Sequence, residues 1–422
     1  MGLLPCPCPL PCHSHTNRES QSQSHSNRLQ SYSSIPSLSS QPSLPSVPSL
    51  TSPFQQQEQA PTTHHHCLGT LKAHSSYVSS LALAGKFLFS GSSNSEIRAW
   101  SRDTSVETPT DNLVATGNGA VKSLVVLGDK LFSAHQDHKI RIWKIDNNTL
   151  VKRYECIAML PTLNDRFIRC FSANNYVEVR RHKKCTWVHH VDTVSALANS
   201  RDGSLLYSAS WDRTFKIWRT SNFRCLESVK NAHDDAINAL VVSHDGFVYT
   251  GSADKKIKVW KKHAEEKKHS LMATLEKHKS AVNALALSSD GSVLYSGACD
   301  RSILVWERDY NITGNGSEHM MLMGALRGHN KAILCLAVVS DLVCSGSADN
   351  TIWIWKRGNE KSYTCLAVLE GHKKPVKCLT AVVDRDNVIE NSESGTSYLV
   401  YSGGLDCDIK IWHIWVPFLQ NF

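Results

Sequence analysis

Seven tryptophans are tied to one upstream pattern, and no other feature restricts the fold of this chain as tightly. Trp100, Trp143, Trp218, Trp260, Trp306, Trp355 and Trp412 each follow an Asp or Asn by six residues: Asn94, Asp137, Asp212, Asp254, Asp300, Asp349 and Asp406. Four residues before each of those stands a hydroxyl: Ser90, Ser133, Ser208, Thr250, Ser296, Ser345 and Ser402. Six units add an upstream His (His74, His190, His233, His278, His329 and His372), with Val or Ile four residues later and Leu seven later. The second unit keeps Val121 and Leu124 but has Gly117 in the His position. A period of about forty residues marks supersecondary units that bury their apolar faces only against one another.

Between these marks the chain reads as short strands. VVSHDGFVYTGSADKKIKVW, ending at Trp260, is an apolar run, a His-Asp-Gly turn, a second run, a polar turn and an alternating run. Turns every eight to twelve residues with β-branched and aromatic runs indicate all-β structure. Each unit supplies three strands before its Trp and a fourth before the next His.

These residues resemble the WD-repeat family over about 67–413. The family's repeat ends in Trp-Asp, whereas Trp is followed here by Ser101, Lys144, Arg219, Lys261, Glu307, Lys356 or His413. LPTLNDR, VEVRRHKK and NAHDDAINAL are further similar to a plant subgroup, the JINGUBANG-like WD-repeat proteins. The resemblance implies a seven-bladed WD40 β-propeller in which His, Ser or Thr, Asp and Trp form a hydrogen-bond chain inside each blade. Unit two, lacking the His, and unit one, with Asn94, are then expected to be the least rigid. After Trp412 ten residues remain, too few for another strand and turn, so Cys67–Leu71 is expected to complete the last blade and close the ring. The apolar ending 414–422 is read as a short tail packed on the propeller.

The same resemblance decides how to read the twenty-one His. A Ser–His–Asp set can be assembled in almost every unit, but a chain does not need six active sites, so the trio is read as structural. The chain has no G-x-S-x-G elbow, P-loop, H-E-x-x-H or dinucleotide fingerprint. No catalytic residue, metal site or cofactor is expected.

Residues 1–66 differ in kind. They hold fifteen Ser, eight Gln and ten of the fourteen Pro, with Arg18 and Arg28 balancing Glu19 and Glu58. Such a segment buries too little apolar surface to order itself and is read as a disordered tail. Cys6, Cys8, Cys12, His13 and His15 match no closed zinc spacing. Gly2 lacks the Ser or Thr that acylation at this site favours, and a transit peptide is a minority reading. Fourteen Cys at irregular spacing, several beside predicted strands, suit a reduced chain with buried thiols. No run of eighteen apolar residues predicts a membrane-spanning helix. The whole net charge of +8 falls on 67–422.

Function is therefore sought on the surface. The gap from Asp137 to His190 is 53 residues, and the extra segment 155–184 carries Arg166, Arg169, Arg180, Arg181, His182, Lys183 and Lys184. It is a candidate docking site for an acidic partner. Taking Cys185–Val188 as the outer strand of unit two places it on the wider face; Cys156–Leu160 would place it on the narrower one. A second insertion, 384–397, holds Asp384, Asp386, Glu390 and Glu393 and suggests no chemistry. The lysines of 255–268 are read as edge protection.

Members of the resembled family present partners with the narrow face. Carried over, its exposed positions are Tyr77, Lys122, Gln136, Thr193, Trp211, Asn238, Asn283 and Lys377, with Trp211 and Tyr77 as the aromatic anchors. The expected function is a non-catalytic protein–protein interaction scaffold with a regulatory role, monomeric within a complex, in cytoplasm or nucleus. The alternatives are a ubiquitin-ligase substrate receptor, disfavoured because no Trp-Asp-x-Arg occurs, and a weakly nucleic-acid-associated regulator.

Overall fold

The computed structural model describes residues 47–51, 63–72, 74–102, 112–145, 154–171, 176–180, 183–263, 265–266, 268–308, 320–358, 361–384 and 395–418. The alternating apolar runs form seven four-stranded antiparallel sheets and one separate two-stranded pair. Blade one is Val78–Ala84, Phe87–Ser92, Glu96–Ser101 and Leu113–Thr116, from innermost to outermost strand. Blades two to six repeat this order, starting at Val121, Val194, Ile237, Val282 and Ile333. Blade seven is Val376–Val383, Gly395–Gly404, Ile409–Pro417 and, outermost, His64–Leu71 from the N-terminal side. The innermost strands touch their neighbours in sequence, and the seventh touches the first, so the ring is closed.

Each inter-blade layer is a small apolar core. Between blades one and two it is made by Phe89, Ile97, Val121, Leu124 and Trp143 among others, and comparable clusters fill the joints of blades two and three, three and four, five and six, six and seven, and seven and one. Polar stitches fasten the ring as well. In every blade a β-bulge falls at the residue five after the His position, which turns that side chain away from the ladder. Ser79 Oγ donates to Val121 O (2.5 Å), Ser195 Oγ to Ile237 O (2.5 Å), Asn238 Nδ2 to Val282 O (3.1 Å) and Asn283 Nδ2 to Ile333 O (2.8 Å), each in the next blade. Cys335 and Cys378 supply weaker thiol donors, 3.7 Å to Val376 O and 3.8 Å to Val78 O. At the joint of blades two and three, Ser123 Oγ accepts from Leu197 N (3.2 Å). All seven joints are thus bridged, and Cys378 closes the circle across 300 residues of chain.

Three boundaries differ from the sequence reading. The third strand of blade seven continues to Pro417, with Ile414, Val416 and Pro417 buried, so the apolar ending up to 417 is blade and not tail. The outermost strand begins at His64, and residues 47–51 lie against blades five and six, so ordered chain starts before Cys67. Of the disordered-tail reading of 1–66, the parts 1–46, with the Cys and His cluster, and 52–62 lie outside the described residues.

The third correction concerns blade two. Glu155–Leu160 pairs with Ile140–Lys144, so Cys156–Leu160 belongs to its outer strand and Cys185–Val188 does not. The basic insertion therefore leaves from the end of the outer strand, on the side of the turns that carry the Asp residues. It folds as helix α1 (Leu163–Cys170) and the hairpin Tyr176–Arg180 with Lys183–Thr186. Of the second insertion, Asp386, Glu390 and Glu393 lie outside the described residues, whereas Asp384 is buried.

Candidate functional site

Five blades build the same buried relay. In blade four Trp260 Nε1 donates to Thr250 Oγ1 (3.0 Å), which donates to His233 Nε2 (2.8 Å), whose Nδ1 donates to Asp254 Oδ2 (2.8 Å). The proton on Nδ1 is assigned by its partner, because a carboxylate only accepts. His190, Ser208, Asp212 and Trp218 repeat the arrangement, as do His278, Ser296, Asp300 and Trp306. His329, Ser345, Asp349 and Trp355 form the sixth set, and His372, Ser402, Asp406 and Trp412 the seventh. Each Asp also accepts the backbone N–H just after the His, as at Val191, Asp234 and Lys279.

The residue after each turn Asp or Asn sits at positive φ in all seven blades, from Ser95 (73°) to Cys407 (70°), so the carboxylate also fastens a strained turn. Burial depresses the His190 and His372 imidazoles and keeps them neutral, against the opposing pull of Asp212 and Asp406. Burial alone would raise Asp254 and Asp300, but hydrogen bonds from His233 and His278 outweigh it and hold both at about 2. These groups are locked to one another inside the blades, which is fastening and not nucleophile activation.

Blades one and two depart from this plan. His74 reaches Ser90 (2.7 Å), and Trp100 donates to Ser90 (2.8 Å), but Asn94 turns away to Ser75. Its expected place in the relay is overturned, because the amide pairs with Ser75 and Ser92 and His74 Nδ1 is left 3.9 Å from Glu96. In blade two His135, two residues beyond Ser133 on the same strand, supplies the missing ring. Its Nε2 meets Ser133 Oγ (2.8 Å), its Nδ1 donates to Gly119 O (3.1 Å), and Trp143 donates to Ser133 (2.8 Å). Asp137 is released from the relay and pairs with the buried Arg141 at 2.5 Å.

The eight candidate partner residues separate into two groups. Thr193 is only 2% exposed and has no surface to offer. Asn238 and Asn283 are half-buried and engaged in the inter-blade stitches, a role that their short amides at a bulge explain. Gln136 is exposed, and Tyr77, Lys122, Trp211 and Lys377 are half-buried. Lys122 of blade two stands 5.5 Å over the Trp211 ring of blade three, which brings two of the expected residues together across a joint.

The sequence reading missed how α1 is held. Thr162 caps its start by accepting from Asp165 N (3.2 Å). Asp165 Oδ2 accepts from Cys225 N (2.6 Å), and Arg169 Nη2 donates to Cys225 O (3.0 Å). Cys225 opens the outermost strand of blade three, so an i, i+4 acid–base pair on the helix satisfies that strand's free edge. The Arg169 guanidinium also stacks 4.1 Å from the Trp187 ring. With this face held down, Leu163, Phe167 and Phe171 point outward along i, i+4, i+8 and are 78%, 66% and 73% exposed. Leu163 and Phe167 border an open groove of about 750 Å³ whose lining includes Arg166, Tyr176, Thr186 and His189.

Comparison with known proteins bears on this geometry. The WD domain, G-beta repeat family matches residues 65–101, 182–219, 223–261, 269–307, 321–356 and 363–413, which is more than half of the chain. The chain belongs to the WD-repeat family. The matched segments leave out the WD-repeat blade whose relay is rebuilt around His135. Among curated relatives, Protein ROOT INITIATION DEFECTIVE 3 of Arabidopsis thaliana is 28% identical over 49% of this chain and 48% of that protein. Autophagy-related protein 16 of the same plant is 27% identical over 46% of this chain and 36% of that protein. Cell division control protein 4 of Saccharomyces cerevisiae is 24% identical over 53% and 28% respectively. The chain thus spans about half or less of the length of these WD-repeat relatives. The propeller they share acts in general as a non-catalytic interaction scaffold.

Proposed function

We propose that this WD-repeat chain is a regulatory scaffold that captures another protein through the α1 module on the rim of blade three. The observation that carries the reading is the exposed Leu163–Phe167–Phe171 row on a helix pinned by Asp165 and Arg169. Monomeric proteins rarely expose a contiguous row of large apolar side chains without a use for it. Arg166 borders the groove, and the adjoining hairpin carries Arg180, Lys183 and Lys184 in its sequence. The fitting partner is an acidic segment with large apolar residues at helical spacing. LPTLNDR builds the start of this module; its resemblance to the JINGUBANG-like subgroup supports that finer placement and, with it, a site of action in cytoplasm or nucleus.

Selection of a displayed peptide library on the full chain, with the Phe167→Asp/Phe171→Asp variant as counter-selector, tests the assignment. Acidic amphipathic peptides that bind wild type and lose the variant are expected. Enrichment of uncharged or basic peptides, or equal retention by both proteins, would remove the α1 module from the function. The Lys122–Trp211 pair supports the narrow face as a second contact. Trp211→Ala is expected to keep the propeller fold, read from its β-sheet spectrum, and to weaken capture of a partner that spans both surfaces.

A further inference from the structure

Residues 47–51 are not a loose end of the tail. Leu50 N donates to Ala325 O (3.0 Å) and Ala325 N donates to Pro48 O (2.9 Å), which adds the segment as a parallel strand to the outer edge of blade five. Leu50 O then accepts from Tyr363 N (3.0 Å), the first residue of the outermost strand of blade six. Arg327 reaches Val47 O (3.2 Å). The segment therefore occupies a cleft between two blade edges, and Leu50 packs on the apolar core of that joint.

The cleft has features of a receptor site. A Cβ on Gly324 would come within 2.6 Å of the Leu50 side chain and 2.7 Å of the Pro48 carbonyl, so the bare glycine admits the ligand backbone. The main-chain bonds read no sequence. Selectivity comes from Leu50, which packs on the apolar joint, while Pro48 is tolerated because only its carbonyl is used and its missing N–H is not called on. The seated core is Pro48-Ser49-Leu50. The preceding sequence repeats it as Pro36-Ser37-Leu38 and Pro42-Ser43-Leu44, with the variant Pro45-Ser46-Val47. A single structural strap needs one copy of its docking sequence; three Pro-Ser-Leu copies and one Pro-Ser-Val in fifteen residues are the pattern of a ligand class to which the cleft responds.

We propose that the cleft between blades five and six is a second peptide-binding site, for extended uncharged Pro-Ser-Leu segments of a partner protein, which residues 47–51 occupy in cis. It is distinct from the α1 module and does not depend on it. Twelve residues separate Thr51 from the closing strand at His64. A tether of that length holds the cis segment at a millimolar effective concentration, so it lowers apparent affinity for a partner peptide without abolishing it.

The test uses the full chain and a fluorescent peptide with the sequence of residues 42–53, read by anisotropy. A tail variant with Leu38, Leu44, Val47 and Leu50 all replaced by Asp empties the cleft. It is expected to bind the peptide about tenfold more tightly than wild type, from removal of the cis competitor. Adding Gly324→Val to the tail variant is expected to abolish binding, with an unchanged circular dichroism spectrum and melt showing that the blade is intact. No binding to the tail variant, equal binding to wild type, or binding that survives Gly324→Val at an intact fold would each overturn the site. Concentration-dependent dimerisation of wild type that Gly324→Val removes would assign the cleft to a second copy of the chain and overturn the partner.

Discussion

A Cβ on Gly117 would stand 2.4 Å from Cε1 of His135, so the side chain missing at one position is the room that the ring at the other requires. The second blade has not lost its histidine; it draws one from its second strand and keeps the upstream position empty to admit it. Gly117→Val is expected to expel the ring and strand Ser133, at a cost of about 1–3 kcal/mol. Gly117→His combined with His135→Ala restores the arrangement of the other blades. It is expected to melt above either single variant, and the coupling is read from a double-mutant cycle. Purely additive losses would show that the two positions do not share one space.

In blade four His233 joins Thr250 to Asp254 with both partners buried or half-buried. His233→Ala leaves a hydroxyl and a carboxylate short of a partner, a loss of about 1–3 kcal/mol. The melting temperature is expected to fall by about 2–6 °C in differential scanning calorimetry, with the β-sheet spectrum retained below the transition. An unchanged melt would mean that the relay contributes nothing to this blade.

The helix on the rim of blade three should behave as a separately released element. Asp165→Ala removes the acceptor of Cys225 N and the partner of Arg169, which is 3.6 Å away. Hydrogen exchange at 163–170 and at Cys225 is expected to speed up about tenfold or more, while the innermost strands keep their protection. Loss of protection throughout the ring would show instead that α1 is part of the cooperative core.

How much of this was readable beforehand follows from what each feature demands of the sequence. A buried Trp–hydroxyl–His–Asp relay tolerates few residue types at few spacings, so five relays and the seven-blade frame stand in the sequence as a period. The outermost strand of blade seven was legible too, because Cys67–Leu71 precedes His74 and belongs to no earlier blade. His135 was not, since a ring two residues beyond Ser133 replaces one sixteen residues before it; Gly117 was the only trace. Asn238 and Asn283 look like exposed polar residues in sequence, and only the β-bulge shows that they face the next blade's carbonyl. The docking of 47–51 is carried mainly by backbone hydrogen bonds, which leave little mark on composition.

Acidification should weaken this ring well before its carboxylates titrate. Burial, with Arg98 nearby, pushes His74 down to about 4, and burial with Arg141 does the same to His135. His190 and His372 are lowered by burial as well. Above the ordinary imidazole value of 6.5, folded and unfolded chains both carry these rings neutral, and stability does not vary through them. Below it the unfolded chain binds protons that the folded chain refuses down to about pH 4 at His74 and His135. Each such ring then costs about 1.4 kcal/mol per pH unit. The depressed carboxylates of Asp254 and Asp300 add their loss only below the usual carboxylate range, as pH falls toward about 2. The melting temperature is therefore expected to fall steadily from pH 6.5 to pH 4.5, and His135→Gln, with one titrating ring fewer, should show a shallower slope from a lower starting value. A melt that stays flat across that window would mean that the buried rings accept protons in place, against the neutral relay drawn from the geometry.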